Sequence, residues 1–583
     1  MKYSLTKLKE RWKDGTFGEI ISNWKWISSY SRRFKGPIAA YTALGLVSST
    51  LALASSVAGK FLVDVVIGHK SDQLWLAALV MAGSALISLA ISNLTGRIRQ
   101  RLDVDMANAI RADVFDRVMD AGWQSLTRFS NGEMLRRFHG DIGTVAANAI
   151  SWLPSVIISV YTFISTFAVI WYYSKVMCLI ALSSAPVILL MSRFLVEKQK
   201  AHREEMLESS GKMYSFETEA LYNLDTVKSF GVTDSFSMQL KELQSQYRRL
   251  TMAWNMFQVR TNVFMAILSL MVEYAAYGYA LFLMWGGQIT YGTMTLFLQQ
   301  RGALSGAFHS LVDLVPGFIT SSVSARRIRE LMNLPGEKHF EKEIPPEYFR
   351  GGLTLKMERV DFAYEDGEAV LESSDFEALP GQITALVGPS GEGKTTVLRL
   401  LLGMIEPRDG YCAFVPENGQ PLAVSVESRA LISYVPQGNT LLSGTIAENM
   451  RLGKKDATDG EIVEALKLSC AWEFVEKLPD GIDSIIYERG KGLSEGQAQR
   501  IAIARALLRD ASVILMDEAT SALDVETERL VLRNILQKSP GRTFIITTHR
   551  PTVLSMCDRV YRVVDRRITR LAQQEIDGIV WNF

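Results

Sequence analysis

The chain has 583 residues, too many for one hydrophobic core, so at least two domains are expected. The formal net charge is +1, which argues neither for nor against a nucleic-acid partner. Cys178, Cys412, Cys470 and Cys557 lack the spacing of a disulfide framework or a metal site and read as buried thiols in a reducing compartment.

Residues 1–35 hold Lys, Arg and Trp but no apolar stretch, so no cleavable signal peptide is expected. They read as a cytosolic amphipathic lead-in, with Trp24 and Trp26 placed as headgroup anchors. A spanning helix needs roughly 20 mostly apolar residues. Six segments qualify, near 38–67, 74–95, 148–172, 176–195, 258–286 and 293–320, making 36–332 a transmembrane domain. The connections near 69–72, 173–175 and 286–292 are short, whereas 97–140 and 196–255 are long and rich in Lys and Arg. The positive-inside bias places both termini and the long connections in the cytosol. Helical spacing continues through the long connections, which predicts cytosolic stalks.

On the sixth segment, Gln299, Gly302, Gly306, His309, Ser310, Asp313, Gly317 and Thr320 share one face, and Phe297, Leu304, Phe308, Leu311, Val315 and Phe318 the other. On the fifth, Asn262, Ala266, Ser269, Glu273, Tyr277 and Ala280 share a face. Two readings stay open: close helix packing with paired polar groups, or a substrate-lining wall built from Glu273, His309, Asp313, Gln299 and Arg301. Arg301 can pair with either acid.

Prolines, glycine and charges mark 333–352 as a linker, and a second domain is expected over 353–583. The apolar run Gln382 to Val387 reads as a strand, and Thr396 to Met404 as a helix. Between them, Gly388, Ser390, Gly391, Gly393, Lys394 and Thr395 fit the glycine-rich phosphate-binding pattern in its required context. Backbone N–H groups there point at phosphate oxygens. Lys394 would reach the β and γ phosphates, and Thr395 would ligate Mg²⁺. Val513 to Met516 reads as a buried strand that delivers Asp517, to hold a Mg²⁺-bound water, and Glu518, to act as general base. The strand Thr543 to Thr547 precedes His549, which can touch the γ-phosphate.

Together these residues resemble the ATP-binding cassette family over essentially the whole chain, and within it the type IV exporter half-transporters of drugs, lipids and peptides. The expected fold is a six-span α-helical domain with cytosolic stalks, followed by an α/β nucleotide-binding domain. The resemblance implies ATP and Mg²⁺ as cofactors, with Tyr364 stacking on adenine, Thr396 in the nucleotide site and Gln437 sensing Mg²⁺. It implies that Leu493 to Gln497, with Ser494, Gly496 and Gln497, contacts ATP held by the opposite subunit. Ser521 to Asp524 would communicate between the two sites, and Glu488-Arg489-Gly490 would touch the stalks. Trp123 to Glu133 and Glu217 to Gly231 resemble cytosolic coupling elements, and Ser324 to Ile328 resembles the exit of the sixth helix toward the nucleotide-binding domain.

Glu495 stands where the family signature has glycine, and Tyr487 where glycine precedes Glu-Arg-Gly; both bear on the hydrolysis rate. No peptidase domain with a Cys/His pair is expected ahead of the membrane segments. The implied protein pairs with a second half-transporter, a homodimer being favoured over a heterodimer. It sits as a multi-pass protein in a bacterial inner or plasma membrane and moves an amphipathic small molecule, lipid or peptide outward. An importer on the same fold, or an ATP-gated channel or regulator, are the alternatives. A chain with six spanning segments is not expected to act on nucleic acid.

Overall fold

The computed structural model describes residues 16–68, 74–182, 202, 205, 206, 208–337, 339, 344–349, 352–364, 367–487, 492–538 and 540–576. They form two compact units, one of residues 1–116 and 130–333, the other of residues 117–129 and 334–583.

The first unit is helical. Its elements are α1 (Thr16–Arg33), α2 (Lys35–Ile67) and α3 (Leu74–Asp120), whose last turn belongs to the second unit together with the short α4 (Trp123–Leu126). Then come α5 (Asn131–Arg136), a π-helical turn (Arg137–Asp141), α6 (Ile142–Tyr173), α7 (Lys175–Leu182), α8 (Leu224–Ser229), α9 (Thr233–Trp285) and α10 (Tyr291–Met332). Four helices among the described residues are long and apolar enough to cross a membrane: Lys35–Ile67, Ala78–Asp120, Gly132–Tyr173 and Tyr291–Met332. Of the predicted segment 176–195, only the part up to Leu182 lies within the described residues. The segment 258–286 forms the C-terminal part of α9. At 1.5 Å per residue, the 47 residues of α3 reach about 70 Å, more than twice a hydrocarbon core of roughly 30 Å. The remainder is the stalk that the uninterrupted helical spacing predicts.

Helix ends are tied by polar groups from neighbouring helices. The Asp64 carboxylate on α2 accepts from the Gly292 amide and the Thr290 hydroxyl, each at 3.0 Å, and so caps the open amides of α10. Around the π turn, Arg137 is buried. It donates to the Arg327 carbonyl at 2.6 Å and pairs with Glu133 at 2.8 Å and Glu330 at 2.9 Å. Asp141 accepts from the Ser324 hydroxyl at 2.7 Å.

Trp24 differs from expectation. Its indole N–H donates to the Phe318 carbonyl at 3.0 Å, and its ring stacks on Phe318 at 4.6 Å and meets Trp152 at 5.1 Å. Asn23 alongside bonds Ser322. This face of α1 is used for packing on α10, because aromatic stacking and a satisfied N–H are both available there. Trp26 packs edge-on against Tyr30 at 5.1 Å.

The second unit is α/β. Its strands are β1 (Leu353–Ala363), β2 (Ala369–Ala378), β3 (Ile383–Val387), β4 (Asp409–Pro416), β5 (Leu422–Ala423), β6 (Ile432–Val435), β7 (Gly444–Thr445), β8 (Ile485–Ile486), β9 (Val513–Asp517), β10 (Thr543–Thr547), β11 (Arg559–Val564) and β12 (Arg567–Arg570). The antiparallel sheet runs β2-β1-β4-β5, and the larger sheet runs β12-β11-β3-β10-β9-β6. In that sheet β11, β3, β10, β9 and β6 are mutually parallel. Strands β3, β9 and β10 are buried at every residue, as expected of a parallel sheet covered on both faces. Helices α11 (Lys394–Leu401), α12 (Ile446–Arg451), α13 (Asp459–Leu468), α14 (Trp472–Val475), α15 (Glu495–Leu508), α16 (Val525–Lys538) and α17 (Pro551–Leu554) complete the unit. The helix expected over 396–404 begins two residues earlier and ends at Leu401. Gly403 turns left-handed (φ 62°) and the Met404 amide returns to the Arg399 carbonyl at 2.9 Å, a helix-terminating motif.

Candidate functional site

Sheet order assembles the site. Parallel strands end on the same side, roughly 4.8 Å apart, and β3, β10, β9 and β6 are consecutive neighbours. The glycine-rich loop follows β3, Thr548 and His549 follow β10, Asp517 and Glu518 end β9, and Gln437 follows β6. Residues scattered over more than 160 positions therefore meet along one sheet edge, where open α/β sheets bind ligands.

Within the loop, Gly388 (φ 148°) and Gly393 (φ 104°) hold left-handed backbone. A Cβ would lie 2.2 Å from the Val563 carbonyl oxygen at the first and 2.8 Å from Val370 at the second. Ser390 and Gly391 are exposed, and a Cβ at Gly391 would meet nothing within 4 Å, so this side of the loop is open to a ligand. Lys394 is 7 % exposed and its ammonium donates to the Gly388 and Pro389 carbonyls at 2.6 and 2.9 Å. Burial pulls its pKa below the usual lysine value, opposed by the charges of Glu518, Asp517 and Glu392.

The Thr395 hydroxyl donates to Asp517 at 3.3 Å. The other Asp517 oxygen accepts from Thr547 at 2.7 Å, and the Thr547 oxygen accepts from the Glu518 amide at 2.9 Å. Glu518 has φ 49°, a conformation that costs a non-glycine residue about 1 kcal/mol or more. Its carboxylate accepts from Gln437 at 2.8 Å and lies 3.4 Å from His549 Nε2. A hydroxyl beside a carboxylate suits a hard cation such as Mg²⁺, and an anion fits the open amides and the buried ammonium. The residues present thus fit Mg²⁺ and a phosphate ester. Thr547 is the member that sequence reading missed; a threonine closing an apolar strand carries no signal until β9 is known to lie beside it.

Tyr364 is held against α11. Its hydroxyl meets the Thr396 hydroxyl at 3.2 Å and accepts from Arg399 at 3.2 Å. Thr396 is buried and directed at this tyrosine.

The remaining predicted residues form a second cluster. Ser494 caps α15 in a reciprocal capping box with Gln497, with bonds of 3.3 and 2.8 Å. Glu495 in the first turn is exposed, near the positive end of the helix. A Cβ on Gly496 would lie 2.8 Å from the Ala522 carbonyl oxygen, so the helix start is pressed onto the 521–524 loop. Gln499 bonds Ser521 and the Ala522 amide at 3.1 and 3.0 Å, and Arg550 donates to the Leu523 carbonyl at 2.7 Å. Asp524 accepts from the Thr527 amide at 2.9 Å, which holds its carboxyl below the usual range. Glu488, Arg489 and Gly490 lie outside the described residues.

In the helical unit, Arg301 pairs with Glu273 at 3.0 Å, with the arginine largely buried and the glutamate half exposed. Gln299, His309 and Asp313 are exposed on α10 together with Gly302, Gly306 and Ser310. The opposite face is less uniform than expected: Phe297 and Leu304 are buried but Val315 is 56 % exposed. On α9, Ala280 is fully buried whereas Tyr277 and Glu273 are exposed, so Ala280 belongs to the packed side and not to the polar face proposed for it.

Residues 38–308 match the ABC transporter transmembrane region, and residues 371–521 match the ABC transporter family. A multidrug resistance ABC transporter ATP-binding and permease protein of Lactococcus lactis is 28% identical over 500 residues, 84% of this chain and 83% of that protein. A leukotoxin translocation ATP-binding protein of Mannheimia haemolytica is 31% identical over 415 residues, 70% of this chain. The chain spans 57% of that relative, and 26% of a serine protease/ABC transporter B family protein of Dictyostelium discoideum to which it is 30% identical. The structure of a bacterial Atm1-family ABC exporter with ATP bound matches with a TM-score of 0.79 at 22% identity, covering 95% of this chain and 97% of that one, which shows the fold. With an ABC transporter transmembrane region and an ABC transporter cassette on one polypeptide, the chain belongs to the ABC transporters.

Proposed function

We propose that this half-transporter hydrolyses ATP at the edge of β3, β10, β9 and β6 and uses the cycle to move an amphipathic molecule outward across the membrane. The observation that carries this reading is the convergence of Lys394, Thr395, Asp517, Glu518, Gln437 and His549 on one sheet edge. Lys394 and the loop amides bind the phosphates, and Tyr364 offers its ring to the base. Thr395, Asp517 and Gln437 hold Mg²⁺, directly or through water; when bound, the ion neutralises charge that develops on the phosphates. Glu518 takes the proton of the attacking water, because its oxygens sit where Gln437 and His549 fix their direction. His549 then stabilises the γ-phosphate.

Ser494, Gly496 and Gln497 belong to a separately braced cluster and complete the site of a second subunit. The Ser494–Gln497 capping box orients the first amides of α15 for an anion. Two identical chains would give two full sites, which favours a homodimer. The cassette and both termini lie in the cytosol. Glu273, Arg301, His309, Asp313 and Gln299 line the substrate path, and acids on an open face suit cationic or amphipathic cargo, consistent with relatives named for multidrug resistance and toxin translocation.

The test is ATPase activity and uptake in inside-out proteoliposomes, with drugs, lipids and short peptides as probes. Mg²⁺-dependent hydrolysis that at least one probe stimulates, with ATP-driven accumulation of that probe in the lumen, supports the reading. Absence of hydrolysis, or efflux from the lumen instead of accumulation, overturns it.

A further inference from the structure

Trp123 opens α4 in the 117–129 stretch, which shares a compact unit with the cassette. The Arg399 guanidinium lies 4.3 Å from the centre of its ring, inside the roughly 6 Å range of a cation–π contact. The tryptophan also packs against the hydrophobic cluster that contains Leu398 and Leu401 of α11. Arg399 donates in addition to the Tyr364 hydroxyl at 3.2 Å. One guanidinium thus joins the proposed base-stacking residue to an aromatic ring on the 117–129 stretch. A planar guanidinium can stack with its face and donate from its edge at the same time, which a lysine ammonium cannot do in fixed geometry.

The helix that carries Arg399 is the one that begins at Lys394, so the two lie about 7.5 Å apart along one short helix. Its far end is gripped as well. Arg429 donates to the Leu402 and Gly403 carbonyls at 3.0 and 2.9 Å and holds Glu337 through two bonds of 2.8 Å. Residues 334–337 are in turn laced to the end of α3. Arg117 donates to the Leu334 carbonyl at 2.7 Å, the Gly122 amide to Pro335 at 3.0 Å, and the Glu337 amide to Asp120 at 2.9 Å. Any displacement of α11 reaches the 117–129 stretch by two routes, and Arg399 is the direct one.

We propose that Arg399 is a positioning residue that makes the 117–129 stretch respond to nucleotide, by covering the Trp123 ring while donating to the Tyr364 hydroxyl. The proposal rests on ATP binding at the 388–395 loop. A contact that only fills space would stabilise the unit equally with and without ATP; a positioning contact makes the stretch sensitive to ATP.

Hydrogen-exchange mass spectrometry of the full chain in lipid nanodiscs, in a Glu518→Gln background that retains nucleotide, separates the two. With Mg²⁺ and ATP, exchange should slow by at least about threefold both over 388–401 and over 117–129. Arg399→Gln should keep the slowing over 388–395 and lose more than about half of it over 117–129, the remainder passing through Arg429 and Glu337, and Arg399→Lys, which leaves a cation over the ring, should restore part of the loss. Trp123→Leu should reproduce the selective loss, and serves where Arg399→Gln fails to match the parent's ATP-free exchange over β3 and β9. An ATP response over 117–129 that keeps about half or more of its parent size in Arg399→Gln or Trp123→Leu, or that is missing from the parent while the loop responds, overturns the proposal. No response at 388–395 in the parent overturns the nucleotide reading instead.

Discussion

In the cassette, every oxygen of Asp517 and Glu518 has a partner, Thr395 on α11 or Thr547, Gln437 and His549 at or just past neighbouring strand ends. In the helical unit, Glu273 has Arg301, while Gln299, His309 and Asp313 stand exposed on the same long helix as that arginine. A fixed set of partners suits a reaction that needs its groups held in one geometry. An open polar face on a membrane helix suits cargo of varied shape or a second chain, because an unpaired charge facing lipid is costly. The contrast teaches that rigidity is concentrated where phosphate chemistry is proposed, and openness where transport is.

Five substitutions probe that contrast, beginning with the largest expected effect. Glu518→Gln removes the proposed base but keeps an oxygen for Gln437 to bond. ATP should still bind, and turnover should fall on the order of 10²–10⁴-fold; retention of more than about a tenth of the parent rate would sink the assignment. Lys394→Ala deletes the charge partner of the phosphates. Affinity for Mg²⁺–ATP should weaken by at least about tenfold, since charge-assisted bonds are roughly twice as strong as neutral ones, and equilibrium binding measures it directly.

Thr547→Val keeps the shape of a fully buried strand residue and removes the hydroxyl that serves both Asp517 and the Glu518 amide. Turnover should drop by about tenfold, equivalent to about 1.4 kcal/mol, with little change in ATP affinity. An unchanged rate would mean that β9 alone fixes the acid pair.

Glu273→Gln would leave the largely buried Arg301 without its counter-charge. Removing one partner of a buried pair costs up to 3–5 kcal/mol, and this half-exposed pair should lose less, roughly 1–2 kcal/mol. Thermal unfolding in detergent should show that loss, and Glu273→Gln combined with Arg301→Met should recover most of it. If instead stability holds and only probe-stimulated ATPase falls, the pair serves the substrate path without stabilising the helical unit.

The smallest effect is expected at Glu495. Its side chain is exposed in the first turn of α15, beside but outside the Ser494–Gln497 box. Glu495→Gly should change the ATPase rate by less than about twofold. A several-fold rise would show that the acid faces the other subunit's phosphate and lowers the rate by repulsion.

Local sequence determined a good deal of this molecule. The phosphate-loop pattern is legible because glycine, lysine and threonine must occupy fixed neighbouring positions for backbone amides to turn toward an anion, so all the information lies within eight residues. Strands β3, β9 and β10 are legible because a parallel strand buried on both faces is continuously apolar. The long helices are legible because hydrocarbon admits few other structures. The partnerships were decided only by tertiary structure. That Thr547 serves Asp517, that Arg301 chooses Glu273, that Asp64 caps α10, that Trp24 packs on Phe318 and that Arg399 covers Trp123 all depend on strand order and helix rotation. Those contacts span separations from 28 to 294 positions in the chain. Pairing at such range is set by which surfaces bury the most apolar area and leave the fewest polar groups unsatisfied, a property of the whole fold that no window of sequence contains.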